Sequence, residues 1–268
     1  VHVSSVASLS LSVIVTRLRA AGCVFAEDEA ELIISTAETP ADLAAMVERR
    51  ASGLPLEHVL GWAEFCGLRV SLDPGVFVPR RRTEFLVHQA AALAPPRAVV
   101  VDLCCGSGAL GAALAATLDG IALHASDIDP AAVHCARRNL ATAGGHVHEG
   151  DLYDPLPPAL RGRVDVLVAN APYVPTRDIA LLPAEARVHE ARHALDGGAD
   201  GLDTLRRVAA DAPHWLAPGG HLLFETSERQ APQAVRTVVG AGLAARVVTS
   251  DELYATVVIG TRVGEGRP

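Results

Sequence analysis

A glycine-rich loop follows an apolar run near the middle of the chain. The run spans residues 98–103 and includes Asp102, and the loop spans residues 104–108. Small residues let backbone N–H groups approach a ligand closely, and a helix that begins near Leu110 would present its N-terminus to the same place. The pattern therefore predicts a nucleotide-like cofactor at this loop.

More than one cofactor is compatible with the loop. Gly106, Gly108 and Gly111 satisfy the GxGxxG pattern, and Asp127 closes the next predicted strand, as in nicotinamide dinucleotide enzymes. A carboxylate at Asp127 suits the ribose of either ligand. Asp102, just before the loop, would repel a pyrophosphate but could support the cationic amino-acid half of S-adenosylmethionine. The pattern favours a methyltransferase and leaves a nicotinamide-dependent oxidoreductase open.

A further predicted strand, at residues 146–150, is followed by Asp151 and Leu152. There a carboxylate can accept a hydrogen bond from an adenine amino group, and the leucine can pack on the ring. The residues that we expect to contact the cofactor are Asp102, Cys104, Cys105, Gly106, Ser107, Gly108, Asp127, Ile128, Asp151, Leu152 and Asn170.

The sequence Asn170-Ala171-Pro172-Tyr173 ends the fourth predicted strand, at the edge where open α/β sheets bind their ligands. An amide nitrogen is a poor nucleophile because its lone pair is delocalised, so its methylation requires orientation and dispersal of the developing positive charge. The side-chain carbonyl of Asn170 and the backbone carbonyl of Ala171 can accept hydrogen bonds from its N–H groups. Pro172 stiffens the turn, and Tyr173 can wall the pocket against a planar amide. We predict these four residues to be catalytic, without a strong base.

The composition is that of a globular protein without a basic field. Of the 268 residues, 50% are hydrophobic and 20% are charged, and the formal net charge is −8. This charge disfavours nucleic acid as a direct substrate.

The five cysteines lack paired CxxC spacing, which indicates reduced thiols and a cytoplasmic protein. Serines interrupt the apolar residues 1–15, so we expect neither a signal peptide nor a membrane span.

Helical patterns precede the glycine loop. Residues 4–21, 27–37 and 40–51 show helical spacing of apolar side chains, and Thr39 followed by a proline is typical of a helix start. Turn residues then punctuate residues 53–79, which indicates a hairpin-like connector. We predict a helical domain with this connector at residues 1–75.

Apolar runs alternate with helical stretches in the remainder of the chain, which indicates a parallel sheet. The last two runs lack an intervening helix and predict an antiparallel edge hairpin. The predicted strands span residues 98–103, 121–127, 146–150, 164–169, 221–226, 244–250 and 256–261. The fold class is therefore α/β: a Rossmann-like class I methyltransferase domain with a mostly parallel sheet at residues 76–268, preceded by the small helical domain.

These motifs resemble the HemK/PrmC family of protein-(glutamine-N5) methyltransferases, whose signature Asn-Pro-Pro-Tyr corresponds to residues 170–173. The segments 55–61, 78–84 and 194–202 resemble further blocks of that family. The resemblance implies a catalytic domain that uses S-adenosylmethionine and a helical domain that helps to recognise a protein substrate, a release factor or a related translation protein. It also implies substrate-binding residues, which are Pro79, Arg80, Asn170, Tyr173 and Glu190.

The sequence departs from the family at a few positions. Ala171 replaces a proline, Arg81 and Arg82 stand where the family usually has Pro-Glu, and Ala191 stands where a proline normally follows the glutamate. Ala171 keeps its backbone carbonyl, so we expect methyl transfer to survive. The arginine pair either favours a different partner surface or forms a solvated basic loop. The chain is thus either a release-factor enzyme or a paralogue that shares its chemistry.

Other functions are also open from the sequence. The Asn-x-Pro-Tyr motif suits any planar amino group, so adenine in nucleic acid or a small molecule is an alternative target. A nicotinamide-dependent oxidoreductase and a non-catalytic cofactor-binding regulator are alternatives of different classes. His146 and His148 alternate on one predicted strand face without a third ligand, so we predict no metal site.

Overall fold

The computed structural model describes residues 9–264. The helices are α1 (Leu11–Ala20), α2 (Ala26–Thr36), α3 (Pro40–Ala51), α4 (Leu56–Leu60), α5 (Glu84–Leu93), α6 (Ala109–Thr117), α7 (Pro130–Leu140), α8 (Ala184–His189), α9 (Arg192–Leu195), α10 (Asp203–Trp215) and α11 (Ala231–Gly240). The strands are β1 (Trp62–Phe65), β2 (Leu68–Ser71), β3 (Val99–Leu103), β4 (Ala122–Asp127), β5 (His146–Glu149), β6 (Val164–Ala169), β7 (Leu216–Thr226), β8 (Ala244–Ser250) and β9 (Ala255–Thr261). None of the described helices is long and apolar enough to cross a membrane.

The first helices pack on one another. The helix predicted over residues 4–21 begins at Leu11 in the structure, and residues 4–8 lie outside the described residues. The start of α3 is confirmed, because the Thr39 hydroxyl accepts a hydrogen bond from the Asp42 N–H at 3.1 Å. The buried side chains that α1 to α4 share include Ile14, Leu18, Ile33, Met46, Val47 and Val59.

A hairpin of β1 and β2 connects these helices to the larger sheet, as the turn residues predict. Gly61, which has a φ of 78°, ends α4, and its carbonyl accepts from the N–H of Leu72, just after β2, at 2.9 Å. His58 Nε2 lies 2.8 Å from the Val76 carbonyl oxygen. These contacts fix the position of the chain just before residues 77–82, several of which line the cavities described below.

Within residues 9–264, the larger sheet has the strand order β5-β4-β3-β6-β7-β9-β8. The pairs from β5 through β7 are parallel, whereas β9 is antiparallel to both β7 and β8. The predicted mostly parallel sheet with an antiparallel edge hairpin is therefore confirmed. The order reverses at β3, which places a ligand-binding crevice at the carboxyl ends of β3, β4 and β6.

Both faces of the sheet are covered, which is why its central strands read as continuous apolar runs. Val100 and Val168 face a layer that contains α5 and α6. Val101 and Leu167 face the opposite layer, which contains α10 and α11. The central strands are thereby held rigidly beneath the crevice.

The strand predicted at residues 221–226 begins earlier in the structure. Leu216 pairs with Val164, and the chain then bulges before His221 pairs with Val166. The Pro-Gly-Gly segment at residues 218–220 forms this bulge. The same residue types are typical of turns, so the sequence alone does not place the start of the strand.

Substituting Gly108 tests the packing of the loop on α7. Gly108 has a φ of 78°, and an added Cβ would lie 3.2 Å from Ala136 Cα and from Leu140 Cγ. Gly144 has a φ of 66° and no atom within 4 Å of such a Cβ. We expect Gly144→Ala to lower the free energy of unfolding by about 1–2 kcal/mol, from the left-handed backbone. Gly108→Ala should lower it by about 2–4 kcal/mol, because overpacking adds to that cost.

Urea unfolding of both variants measures the difference. Equal losses would show that the close approach of α7 does not constrain the loop.

Candidate active site

A cavity of about 300 Å³ opens at the carboxyl ends of β3 and β4, beside the start of α6. Most of the residues predicted to contact the cofactor line this cavity; they are Cys104, Cys105, Gly106, Ser107, Asp127, Ile128, Asp151, Leu152 and Asn170. Asp102 and Gly108 do not line the cavity. Asp102 is fully buried against the start of α6, and Gly108 packs against α7.

The Asp127 carboxylate is oriented by the backbone around it. Its Oδ2 accepts from the Gly106 N–H at 2.8 Å, and its Oδ1 accepts from the Asp129 N–H at 3.0 Å. Burial raises the pKa of Asp127, and these two N–H groups oppose the rise. Each carboxylate oxygen keeps a lone pair with which it can accept from a ligand hydroxyl.

Asp102 holds a carboxylate oxygen without a partner. Its Oδ2 accepts from the Gly111 N–H at 3.1 Å, whereas its Oδ1 has no hydrogen-bond partner in the described part of the chain. Burial raises the pKa of Asp102 to about 7. A buried acceptor of this kind is costly when unpaired. A positive charge in the neighbouring cavity would therefore stabilise the ionised form.

The two cysteines shape the glycine loop. Cys104 has a φ of 55°, and the Cys105 N–H donates to the Ser126 carbonyl at 3.1 Å. Burial raises the pKa of both thiols well above its ordinary value, so both stay protonated and weakly nucleophilic.

Several residues that line the cavity were missed by the sequence analysis. His193 and Asp196 approach from α9 and the loop after it, and Arg207 approaches from α10. Arg207 Nη2 donates to Asp151 Oδ2 at 2.7 Å, so the carboxylate predicted to accept from adenine is already ion-paired. His193 Nε2 lies 3.3 Å from Asp129 Oδ2. Asp196 lies in the segment 194–202 that resembles a family block, but without an assigned role, and no local pattern marks His193 or Arg207.

A second cavity, of about 320 Å³, adjoins the first. Phe77, Asn170 and Ala194 line both, so Asn170 lies at the junction. The residues predicted to be catalytic all line the second cavity; they are Asn170, Ala171, Pro172 and Tyr173. Of the predicted substrate-binding residues, Arg80 and Glu190 also line the second cavity, whereas Pro79 lines the first.

The junction offers hydrogen-bond acceptors that the protein does not use. Among residues 9–264, the Asn170 side chain makes no hydrogen bond and the Ala171 carbonyl accepts none. Ala171 is nevertheless buried, with 6% of its surface exposed. These carbonyl oxygens are therefore available to N–H groups of a ligand.

Tyr173 is held by a buried carboxylate. Its hydroxyl donates to Glu225 Oε1 at 2.7 Å and accepts from Arg82 Nη2 at 2.5 Å. Arg82 Nε also donates to Glu225 Oε1 at 2.8 Å, and the Thr83 hydroxyl donates to Oε2 at 2.7 Å. Arg82 thus neutralises Glu225, whose side chain is only 2% exposed. Both arginines are exposed, but Arg82 points its guanidinium to Glu225 and Tyr173.

Glu190 forms another buried wall of the second cavity. Its Oε1 accepts from Arg80 Nη2 and from the Val78 N–H, whereas its Oε2 has no partner within the described residues. Burial raises the pKa of Glu190, and Arg80 opposes the rise. The side chain therefore presents one unpaired oxygen beside the cavity.

The end of α9, the loop after it and the start of α11 contact the segment that follows Asn170. The Val174 N–H donates to the Leu195 carbonyl at 3.1 Å, and Gln230 Nε2 donates to the Tyr173 carbonyl at 2.9 Å. A Cβ at Gly201 would lie 2.2 Å from that carbonyl oxygen. Only glycine permits this close approach, which explains the Asp-Gly-Leu sequence there.

Three histidines meet on the outer strands, away from the cavities. His124 on β4 joins His146 and His148 on β5, and His124 Nδ1 lies 3.1 Å from His148 Nε2. Burial and the neighbouring rings lower the pKa of His124 and His148. No group of at least three candidate ligands in the described ranges is placed to hold a metal ion.

Comparisons with known proteins identify the family. The family described as "Methyltransferase small domain" matches residues 67–201. The chain is 39% identical over 230 residues to the release factor glutamine methyltransferase of Geobacter sulfurreducens, an alignment that covers 84% of this chain and 80% of that protein. It is 39% identical over 213 residues to that of Mycolicibacterium smegmatis, with 78% and 75% covered. The chain therefore belongs to the release factor glutamine methyltransferase family.

A solved structure supports the fold. A methyltransferase from Pyrococcus furiosus superposes with a TM-score of 0.56 at 15% identity, covering 74% of this chain and 90% of that one. Family membership also decides the cofactor that the glycine loop left open, which is S-adenosylmethionine.

The buried Asp102 predicts how stability depends on pH in the ligand-free protein. Its pKa rises from 3.8 to about 7 on folding, so its contribution to stability is full below about pH 4 and is lost as the pH rises through about 7. Asp102→Asn removes this loss. We expect the free energy of unfolding of the variant, relative to the wild type, to increase by about 2–3 kcal/mol from pH 5 to pH 8.

Urea unfolding at both pH values measures this change. A difference that does not vary with pH would show that Asp102 is ionised throughout.

Proposed function

We propose that this member of the release factor glutamine methyltransferase family methylates the side-chain amide nitrogen of a glutamine in a release factor. The observation that carries the proposal is the position of Asn170 at the junction of the two cavities. One cavity suits the cofactor and the other a protein side chain. A translation factor as substrate also implies a cytoplasmic reaction.

The chain's own groups fit S-adenosylmethionine. Asp127 would accept from the ribose hydroxyls, and the unpaired Oδ1 of Asp102 would stabilise the positive charge of the amino-acid half. The glycine loop lets the backbone approach closely. When bound, S-adenosylmethionine supplies an electrophilic methyl group on a sulfonium.

The residues at the junction address the weakness of an amide as a nucleophile. The Asn170 side-chain carbonyl and the Ala171 backbone carbonyl are free to accept from both N–H groups of an amide, which orients its nitrogen. The same acceptors stabilise the positive charge that develops on the nitrogen during transfer. Tyr173, fixed by Glu225 and Arg82, would wall the amide plane. The extra proton is lost after transfer, so a strong base is not required.

We further propose that residues 1–75 recognise the protein substrate and that residues 76–268 form the catalytic domain. A buried ion pair ties the helices to the wall of the substrate cavity. Arg50 on α3 donates to Glu29 on α2 at 2.6 Å and to Glu185 on α8 at 2.7 Å. Glu185 lines the second cavity. A protein that binds to the helices would therefore contact elements that are joined by this ion pair to the wall of the cavity.

Replacing Asn170 tests the chemistry. Asn170→Ala should lower kcat with a bacterial release factor by about 10²–10³, because it removes an acceptor that is needed as charge develops. Cofactor affinity should change far less, since the other cofactor-contacting residues remain. Steady-state kinetics with methyl-labelled cofactor and calorimetric binding measure the two effects. Unchanged kcat would overturn the assignment of Asn170.

The substrate is tested with the wild-type protein. Label should appear on a purified release factor and should disappear when its candidate glutamine is replaced. Label on DNA or RNA instead would favour an adenine target. Cofactor binding without transfer to any component would favour a regulatory protein.

A further inference from the structure

A cleft of about 770 Å³ adjoins the second cavity, and Tyr173 lines both. Its walls are the loop after β7 and the turn between β8 and β9. It shares a floor with the second cavity, because the same residues line both; they are Arg82, Tyr173, Val174 and Leu182. A polypeptide that places a side chain at Asn170 can therefore continue into this cleft.

The cleft carries unbalanced negative charge. Glu228 and Asp251 line it and are exposed, and the adjacent Glu252 is exposed as well. None of these carboxylates forms an ion pair within residues 9–264, whereas the cation on the floor, Arg82, is neutralised by Glu225. The cleft therefore attracts cationic groups and repels phosphates.

A buried hydroxyl in the cleft also lacks a partner. Thr226, with 4% of its surface exposed, lines the cleft, and its Oγ1 makes no hydrogen bond in the described part of the chain. A buried polar atom that stays unpaired is costly, so a polar ligand group gains from pairing with it. This observation is independent of the carboxylates and also indicates a ligand.

An aromatic side chain stands free at the rim. Tyr254 is 91% exposed and has a φ of 50°, a left-handed conformation that a bulky residue seldom adopts. Such strain is typical of positions that contact ligands. The ring could cover aliphatic or cationic side chains of a partner.

We propose that this cleft binds a basic polypeptide segment of the substrate protein that adjoins the methylated glutamine. The inference rests on the proposed function and adds a second contact to it. A polypeptide is favoured because the cleft continues from the place where a protein side chain would enter. A basic segment is favoured because the exposed charges are carboxylates.

Charge reversal tests the cleft without touching the catalytic machinery. With a purified bacterial release factor, the double variant Glu228→Lys, Asp251→Lys should raise KM about tenfold. Its kcat and its affinity for the cofactor should stay within about twofold of wild type. The increase in KM should shrink at high salt, since rim charges are screened.

A matched double variant controls for net charge. Asp119→Lys, Asp211→Lys alters the formal charge by the same amount at exposed carboxylates outside the cleft. Asp119 lies in the turn before β4, at the amino end of that strand, and Asp211 lies near the end of α10. Its KM should stay within about twofold of wild type.

The hydroxyl is tested separately by Thr226→Val. The change removes an unpaired buried group, so the melting temperature should not fall. KM for the release factor should nevertheless rise about fivefold, if the hydroxyl pairs with the substrate. A merely structural role would lower the melting temperature and leave KM unchanged.

The outcomes separate the two proposals. If the wild type methylates the release factor but neither cleft variant changes KM, or if both double variants change it equally, the cleft does not bind the substrate. If the wild type transfers no methyl group to a release factor, the proposed function is wrong, and the inference fails with it.

Discussion

The parallel register of β3 with its two neighbours is the constraint on which the site depends. Leu103 lies beside Ser126 of β4 on one side and beside Ala169 of β6 on the other. The next residues in each neighbour are Asp127 and Asn170, so a cofactor acceptor and a substrate acceptor emerge on either side of the glycine loop. A slip of one residue in either pairing would turn these side chains away from the crevice.

Around this edge, the protein buries more polar groups than its own partners satisfy. Both carboxylate oxygens of Glu225 accept hydrogen bonds, from Arg82, Thr83 and Tyr173. The hydrogen bond from Tyr173 holds the tyrosine ring in place. Within the part of the chain that the structure describes, Asp102, Glu190 and Thr226 each keep an unpaired oxygen beside one of the cavities or the cleft. Since buried unpaired groups reduce stability, their clustering at the crevice is most simply explained by ligands.

The sequence predicted local features of the site well and distant ones poorly. The glycine loop, Asp127 and the Asn170 motif directly follow apolar strands, so their common edge could be inferred from strand order alone. Glu225 also ends a predicted strand, but its role depends on Arg82, more than a hundred residues away, and no spacing reveals that pair. His193 and Arg207 reach the cofactor cavity from α9 and α10, and helical spacing alone does not reveal which polar residues of a helix face a cavity. The strand at residues 216–226 was also predicted too short, because its bulge contains Pro-Gly-Gly, and these residue types are equally typical of a turn.

The two cavities meet at the carbonyl groups of Asn170 and Ala171. This geometry predicts which atom of the substrate receives the methyl group. Fragmentation mass spectrometry of a release factor, after reaction with the protein and methyl-labelled S-adenosylmethionine, locates that atom. The structure predicts one added methyl group on the side-chain nitrogen of a glutamine. A methyl group on a carboxylate oxygen would contradict the account, because a carboxylate has no N–H group to donate to the carbonyls of Asn170 and Ala171. A methyl group on a lysine or an arginine would contradict the assignment of glutamine as the methylated residue.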